Sequence, residues 1–218
     1  MGSFVTFEGP EGSGKTTQIA LLESALCAMG YDIVCTREPG GTSIGEQVRA
    51  VLHSLDNQEM LPRAEILLYS AARAQHVGEL IAPSLARGCV VLCDRYAEST
   101  LAYQGYGHGL DLEDLGQITR FATEGLRPSL IVYLDLDVTV GLQRKRVDHD
   151  HGSGEWNRMD QLELAFHQRV RDGYLQMAQQ DPSRWVIVDA KQSIEDTHRY
   201  ILSRLTRYLE RHSHLGSR

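Results

Sequence analysis

Short apolar runs alternate along the chain with longer amphipathic segments. Each run holds five or six residues, the usual length of a strand, and the five runs cover 4–8, 32–36, 89–94, 130–135 and 185–189. The segments between them carry apolar residues at spacings of three and four, which predicts helices. The predicted helices cover 16–29, 44–52, 63–86, 97–104, 113–124, 138–147, 160–180 and 194–210.

The predicted strand at 89–94 is apolar at successive positions and does not alternate with polar residues. This is typical of a strand that is covered on both faces. Strands that alternate with helices predict an α/β fold, with a five-stranded parallel sheet and helices on both faces. Active sites in such sheets lie beyond the carboxyl ends of the strands, so the residues that follow each strand are the first candidates for an active site.

Composition narrows the class of protein. A chain of 218 residues with 42% hydrophobic residues predicts a single domain, 1–218. The formal charge of −7 argues against a nucleic-acid partner, because proteins that bind nucleic acid usually carry an excess of Lys and Arg. There is no apolar run long enough for a membrane span and no apolar signal segment after Met1, so a cytoplasmic protein is expected. The four cysteines lack metal spacing and predict buried free thiols.

A glycine-rich segment follows the first predicted strand and opens the first helix. It matches the phosphate-binding motif G-x-x-x-x-G-K-[ST] in the strand-to-helix context that the motif needs. Glycines let successive backbone N–H groups approach a phosphate, and the start of the helix adds its dipole. The sequence therefore predicts an ATP site. It consists of Gly9, Pro10, Glu11, Gly12, Ser13, Gly14, Lys15, Thr16 and Thr17.

Two further features of this site can be predicted. Lys15 would neutralise charge on the β- and γ-phosphates, and the Thr16 hydroxyl would hold Mg²⁺. Asp94 ends the third predicted strand, where a carboxylate can reach Mg²⁺ directly or through water. Asp94 by itself is an ordinary loop or capping residue about half the time, and the neighbouring motif gives it weight.

The other motifs decide among the classes of P-loop protein. The chain contains no N-K-x-D tetrapeptide for guanine recognition. Arginines instead follow strands and occupy loops, and each one offers a planar fork of donors that fits phosphate oxygens. They are Arg37, Arg73, Arg95 and the basic run Arg144, Lys145, Arg146 with Arg158. This pattern favours an enzyme that brings two phosphorylated substrates together.

At this point the sequence resembles the bacterial type of thymidylate kinase. The motifs that carry the resemblance are Phe7-Glu8-Gly9 through Thr17, Thr36-Arg37-Glu38-Pro39-Gly40-Gly41-Thr42, the stretch 67–73, Asp94-Arg95-Tyr96, and Ser99-Thr100-Leu101-Ala102-Tyr103-Gln104-Gly105. The resemblance extends from Phe4 to about Asp189. It implies transfer of the γ-phosphoryl group of ATP to dTMP, with Mg²⁺, in a homodimer.

The resemblance also implies roles for residues of the acceptor site. Arg95 would grip the acceptor phosphate, and Glu11 would lie near the deoxyribose hydroxyl. Arg73 and Gln104 would read the polar edge of thymine, Tyr69 would stack on the base, and Tyr103 would crowd the ribose 2′ position. Arg37, Glu38, Pro39 and Ser99 complete the implied substrate site. Without the resemblance, Tyr69 would more often be a core residue and Arg73 a surface residue.

The polar segment 144–160 resembles the closing lid of the same family. By this similarity Arg144 would lie over the adenine, while either Arg146 or Arg158 would meet the transferring phosphoryl group. The run Asp148-His149-Asp150-His151 departs from the family pattern. Its side chains are competent metal ligands, but a solvated loop is the more frequent structure for ligands so close in sequence.

The sequence leaves two alternative functions open. One is another P-loop kinase of a nucleotide or nucleoside, which comparison of dTMP, dUMP, dCMP and dGMP would reveal. The other is a nucleotide-binding regulator that uses the P-loop as a switch and hydrolyses ATP without an acceptor.

Overall fold

A computed structural model describes residues 2–152 and 155–213 of the chain. The strands are β1 Ser3–Glu8, β2 Ile33–Arg37, β3 Val90–Asp94, β4 Leu130–Asp135 and β5 Trp185–Asp189. The α-helices are α1 Lys15–Ala28, α2 Ser43–His53, α3 Pro62–His76, α4 Ala82–Ala86, α5 Ala97–Thr100, α6 Leu112–Thr123, α7 Val138–Asp150, α8 Leu164–Gln180 and α9 Ile194–Ser213. Two π-helical segments, Val77–Ile81 and Leu101–Gly107, continue α3 and α5, and a 3₁₀ turn covers Arg158–Gln161.

The strands form one parallel sheet with the order β2-β3-β1-β4-β5. β1 is the central strand, and its Phe7 lies beside Asp94 of β3. Arg37 at the end of β2 lies on the other side of Asp94. The carboxyl ends of these three strands therefore meet at one edge, where the predicted site residues follow them. The predicted α/β fold with a five-stranded parallel sheet is confirmed.

Apolar side chains cover both faces of the sheet. On one face α1 and α9 pack against β1 and β4 through a cluster that includes Leu22, Val132 and Leu205. On the other face the π-helical segments and α8 pack on the strands through two further clusters, in which Phe4 and Tyr174 are completely buried. Burial of this apolar area is the main stabilising contribution to the sheet and its helices.

Several element boundaries differ from the sequence prediction, and two of them lie next to the cleft. Helix α7 continues to Asp150, three residues beyond the predicted end, because the residues before Gly152 include no helix breaker. The predicted helix at 160–180 begins only at Leu164. It is preceded by the 3₁₀ turn, where the Asn157 side chain accepts a hydrogen bond from the Met159 N–H and the Asp160 side chain accepts one from the Asn157 N–H.

Within the described ranges, no helix is both long enough and apolar enough to cross a membrane. Ser153 and Gly154, which belong to the segment predicted as a lid, lie outside the described residues.

Candidate active site

The loop after β1 has the backbone conformation that its glycines predict. Gly12 and Gly14 both have positive φ, at 67° and 91°, and Gly14 is the N-cap of α1. A Cβ atom on Gly12 would collide with the backbone oxygen of Gly141 in α7. The phosphate-binding loop therefore packs directly against the backbone of α7, and only glycine fits at this contact.

Lys15 lies in this loop with its side chain directed back over it. Its Nζ donates to the carbonyl oxygens of Gly9, at 3.3 Å, and Pro10, at 3.2 Å. Burial, followed by the nearby Arg95, lowers the pKa of Lys15, whereas Asp94 opposes the change. The ammonium group is thus held where a phosphate could exchange for the carbonyl oxygens.

Thr16 and Asp94 meet at the base of the loop. The Thr16 Oγ1 donates to Asp94 Oδ2 at 3.0 Å, although 78 positions separate the two residues in sequence. A hydroxyl and a carboxylate oxygen are the hard donors that Mg²⁺ takes when it also binds phosphate. The two predicted metal-binding side chains therefore fit Mg²⁺ in identity and position. Among residues 2–152 and 155–213, no group of three or more His, Cys, Asp or Glu side chains is placed to hold a metal, and this includes the run Asp148 to His151.

Arg95 directly follows Asp94 and has φ of 68°. Its Nη2 donates to Glu11 Oε1 at 2.6 Å, and its guanidinium carbon lies 5.0 Å from the centre of the Tyr103 ring. Its Nη1 is 3.4 Å from Ser99 Oγ and 3.3 Å from Tyr174 Oη. The left-handed backbone is what turns this side chain toward the phosphate-binding loop.

Glu11 carries two cationic partners. Lys145 Nζ lies 3.2 Å from Glu11 Oε2, opposite Arg95, and 2.6 Å from Asp160 Oδ1. Burial would raise the pKa of Glu11, but Arg95 and Lys145 outweigh it and hold that pKa well below its usual range. Lys145 appeared in the sequence only as part of a basic run, because nothing in the spacing distinguishes it from Arg144 and Arg146.

A buried carboxyl group binds the residues that follow Arg95. Glu8, at the end of β1, accepts hydrogen bonds from the Tyr96 N–H at 2.9 Å, the Ser99 hydroxyl at 2.6 Å and the Tyr174 hydroxyl at 2.7 Å. Burial raises the pKa of Glu8 to about 7. Sequence analysis missed this residue, although its place at the end of an apolar strand is the same signal that identified Asp94.

Arg73 is buried with only 2% of its surface exposed. Its Nε donates to Glu38 Oε2 at 2.7 Å, its Nη1 to Thr100 Oγ1 at 2.8 Å and its Nη2 to the Tyr96 carbonyl at 3.1 Å. His76 Nδ1 is 3.1 Å from the other Glu38 oxygen. This network holds Arg73 at the cleft wall next to the cis peptide bond between Glu38 and Pro39.

Gln104 and Tyr69 lie on facing elements of the same wall. The Gln104 Nε2 donates to Glu65 Oε1 at 2.7 Å, and both residues are buried. Tyr69 is half-buried on α3. Arg37, at the end of β2, is exposed and pairs with Glu46 at 2.9 Å.

These groups surround one cleft of about 980 Å³. The residues that the sequence predicted and that line it are Glu11, Gly12, Ser13, Gly14, Lys15, Thr16, Thr17, Arg37, Glu38, Pro39, Tyr69, Arg73, Asp94, Arg95, Ser99, Tyr103, Gln104 and Arg144. Gly9 and Pro10 contribute through the backbone oxygens that bind Lys15. The cleft is large enough for two nucleotides, one next to the phosphate-binding loop and the other next to Arg73.

The segment predicted as a lid is brought to the cleft only in part. Arg144 lines the cleft and its Nη1 donates to the Ala190 carbonyl at 3.4 Å. Arg146 is exposed on α7, and Arg158 is buried against Glu65; in the described part of the chain neither residue lines the cleft. Glu155 lines the cleft and reaches α2, where its Oε2 lies 2.6 Å from Arg49 Nη2.

Two α2 residues that the sequence analysis did not single out also line the cleft. Arg49 donates to the Pro39 carbonyl at 3.1 Å, and His53 Nδ1 is 2.9 Å from Glu155 Oε1. Burial, followed by the nearby Arg49, lowers the pKa of His53. The sequence could have indicated this pair, because residues four positions apart lie on the same face of a helix.

Comparisons with known proteins agree with this geometry. The family model described as thymidylate kinase matches residues 7–201. A thymidylate kinase of Roseiflexus sp. (strain RS-1) is 54% identical over 202 residues, 89% of each chain, and one of Geotalea daltonii is 49% identical over 199 residues, 90% of this chain and 93% of its own. The crystal structure of thymidylate kinase from Ehrlichia chaffeensis superposes with a TM-score of 0.74 at 33% identity, covering 94% of this chain and 98% of that one.

Proposed function

The chain belongs to the thymidylate kinase family, and we propose that its cleft is where the γ-phosphoryl group of ATP passes to dTMP, giving ADP and dTDP for dTTP synthesis. The observation that carries this proposal is that the phosphate-binding loop and an arginine-lined pocket share one cleft. A protein that only hydrolyses ATP has no need for a second, cationic binding wall. Domain 1–218 is proposed as one catalytic unit, because the three apolar clusters all pack on the same sheet.

ATP occupies the side of the cleft formed by α1. The N–H groups of the loop surround the phosphates, and Lys15 exchanges its two carbonyl partners for phosphate oxygens. Arg144, which reaches Ala190 across the cleft, covers the adenine side. Thr16 and Asp94 would hold Mg²⁺, which when bound neutralises charge on the donor phosphates.

dTMP occupies the opposite side. Arg95 binds the acceptor phosphate, and Arg37 and Ser99 lie near the same end of the pocket. Arg73 and Gln104 read the base edge, and Tyr69 stacks on its face. Glu38 and Pro39 shape the wall behind, while Tyr103 and Glu11 lie beside the sugar.

The chemistry needs little beyond positioning and neutralisation of charge. A phosphate acceptor has a second pKa near 6, so its attacking oxygen is already ionised at neutral pH and no general base is required. Arg95 and Lys145 flank Glu11 between the two binding sides. When phosphate groups enter, Arg95 and Lys145 are available to stabilise the charge that develops during transfer. Lys145 is therefore a further candidate for the role at the transferring phosphoryl group, for which the resemblance implied Arg146 or Arg158.

We also propose that the protein is a homodimer. Leu67 on α3 is 59% exposed and Phe121 on α6 is 88% exposed, and both line an apolar groove between these helices. Ile118 and Ala74 line the same groove. Apolar surfaces of this kind favour protein–protein contact, and the two helices can pack on their symmetry mates.

A cytoplasmic location is proposed on the state of the thiols. All four cysteines lie in the described part of the chain and are free, but the prediction that they are buried is correct only for Cys93, since Cys35 and Cys89 are half-buried and Cys27 is exposed. Unpaired thiols are typical of proteins in a reducing compartment.

Steady-state kinetics of two single variants tests the assignment of the two sides. Lys15→Met should raise KM for ATP or lower kcat while KM for dTMP stays within about threefold, and Arg95→Met should raise KM for dTMP by at least about tenfold, because a buried charge-assisted contact is worth about 1.5–3 kcal/mol. Arg199→Met, on a surface pair with Asp196, is the matched control and should change neither constant. If Arg95→Met affects only ATP, the acceptor assignment is wrong.

A further inference from the structure

The side-chain amide of Gln104 has an NH₂ donor at one end and an oxygen acceptor at the other. Which end faces the cleft depends on the residue that binds the opposite end. Gln104 is 2% exposed, lines the cleft, and directs its Nε2 to Glu65 Oε1 at 2.7 Å. A carboxylate has no proton to donate, so it accepts only from the NH₂ end of an amide. The opposite orientation would place two oxygen atoms against each other in a buried site. Glu65 therefore turns the Gln104 oxygen away from itself.

Glu65 is itself held in place by a second residue. It is 1% exposed on α3 and forms an ion pair with Arg158, which is itself 4% exposed on the 3₁₀ turn. The Arg158 Nε also donates to the Leu52 carbonyl at 3.3 Å, which fixes the direction of its guanidinium group. His108 Nε2 lies 3.6 Å from the same Glu65 oxygen that Gln104 binds. The Arg158 guanidinium is therefore the counter-charge of Glu65 in this buried site.

Arg73 supplies the complementary half of the wall. Three of its five N–H groups are bound to Glu38, Thr100 and Tyr96, which leaves one N–H on each terminal nitrogen. Arginine is never an acceptor, so this residue can only donate. The wall thus combines a fixed donor on Arg73 with a fixed acceptor on Gln104.

We propose that Glu65, held by Arg158, is a positioning residue that fixes the amide of Gln104 and thereby makes the acceptor site reject cytosine nucleotides. Thymine and uracil present a carbonyl oxygen beside an N–H, which matches one donor and one acceptor. Cytosine presents an amino group beside an unprotonated ring nitrogen, the reverse pattern. Its binding would leave buried groups unpaired, and such mismatches carry large penalties. The inference rests on the proposed base-reading roles of Arg73 and Gln104.

Arg158 thereby has a different task from the one that the family resemblance implied. It acts on the base end of the acceptor pocket, through Glu65, and does not touch the phosphoryl group. A residue with a purely structural role would lower turnover of every substrate in parallel. A residue that sets the amide orientation changes the ratio between substrates.

The experiment measures kcat/KM for dTMP and for dCMP and reports their ratio. Glu65→Gln places an amide opposite Gln104, so that either orientation can form a hydrogen bond, and the ratio should fall at least tenfold. Glu65→Gln leaves the buried Arg158 guanidinium without its counter-charge, which could prevent folding. The double variant Glu65→Gln/Arg158→Met removes that charge as well and should show the same fall in the ratio. Glu98→Gln is the matched control: it makes the same change at another buried carboxyl group that does not line the cleft, and its ratio should equal that of the wild type.

Gln104→Ala separates this inference from the proposed function. If Gln104→Ala abolishes the preference while both Glu65 variants keep the wild-type ratio within about twofold, the positioning role is overturned and base reading by Gln104 stands. If Gln104→Ala leaves the ratio unchanged, or the wild type uses dCMP as well as dTMP, base reading itself fails and the inference fails with it. The positioning role would also be overturned if Glu98→Gln lowered the ratio of dTMP to dCMP activity as much as Glu65→Gln does.

Discussion

Gly141 tests the contact between α7 and the phosphate-binding loop. A Cβ atom at this position would collide with the Glu11 backbone oxygen, and a backbone atom cannot swing aside as a flexible side chain can. Restoring ordinary van der Waals separation of 3.4–4 Å requires the loop to move by about 1 Å. In Gly141→Ala the helix gains about 1 kcal/mol from the better helix former, and the overpacked contact costs about 1–3 kcal/mol. The free energy of unfolding should therefore fall by about 2 kcal/mol or less.

Activity should suffer far more than stability. A displacement of about 1 Å in a group that positions substrate costs on the order of 10²-fold in rate, so kcat/KM for ATP should fall by about that factor. The assay is steady-state ADP release, with thermal melting measured on the same samples. Gly116→Ala in α6 is the matched control, because a Cβ there meets nothing within 4 Å. If Gly141→Ala matched the control by gaining stability and keeping full activity, the reasoning about this contact would be refuted.

Three further predictions address pH, metal and assembly. Because burial raises the pKa of Glu8 from 4.5 to about 7, the folded protein keeps a proton that the unfolded chain releases, and Glu8 should therefore lower stability by roughly 3 kcal/mol as pH rises from about 4.5 to 7. Glu8→Gln should remove this contribution from the pH dependence of urea unfolding, and a pH dependence equal to that of the wild type contradicts the assignment. Asp94→Asn should raise the Mg²⁺ concentration for half-maximal activity at least tenfold at saturating ATP, and an unaltered Mg²⁺ titration would argue that Asp94 does not serve the metal. Phe121→Glu should give a monomer in light scattering, whereas an unchanged mass would place the dimer contact elsewhere.

The fold was predictable because its signals are local. The apolar runs that end in Glu8, Asp94 and Asp135 are strands of the observed sheet, and the helices between them appear in the predicted order. The late start of α8 was not predictable, since the residues from Asp160 onward have helical periodicity. The Asn157 cap diverts them into a 3₁₀ turn instead.

The candidate site divides in the same way. Lys15, Thr16 and Asp94 follow from a motif whose spacing is dictated by phosphate geometry, and the structure brings them together. Lys145 and Glu8 depend on which neighbours tertiary packing brings to them, and a single sequence does not encode that in any local spacing. Lys145 becomes distinctive only because α7 continues past it and aims it at Glu11.

Arg158 shows how tertiary packing places a residue where its segment gives no indication. The family resemblance implied that Arg158, in the segment predicted as a lid, meets the transferring phosphoryl group. Packing of the 3₁₀ turn against α3 buries Arg158 on Glu65. The pairing joins two residues 93 positions apart. Burial of this kind is set by the tertiary fold and not by the composition of the segment.

The most direct test of the central claim is ³¹P NMR of the purified protein with ATP and Mg²⁺, with and without dTMP. The account predicts that ADP and dTDP appear in equal amounts only when dTMP is present, and that Lys15→Met loses both products. Consumption of ATP at the same rate without dTMP, or ADP without dTDP, would contradict it.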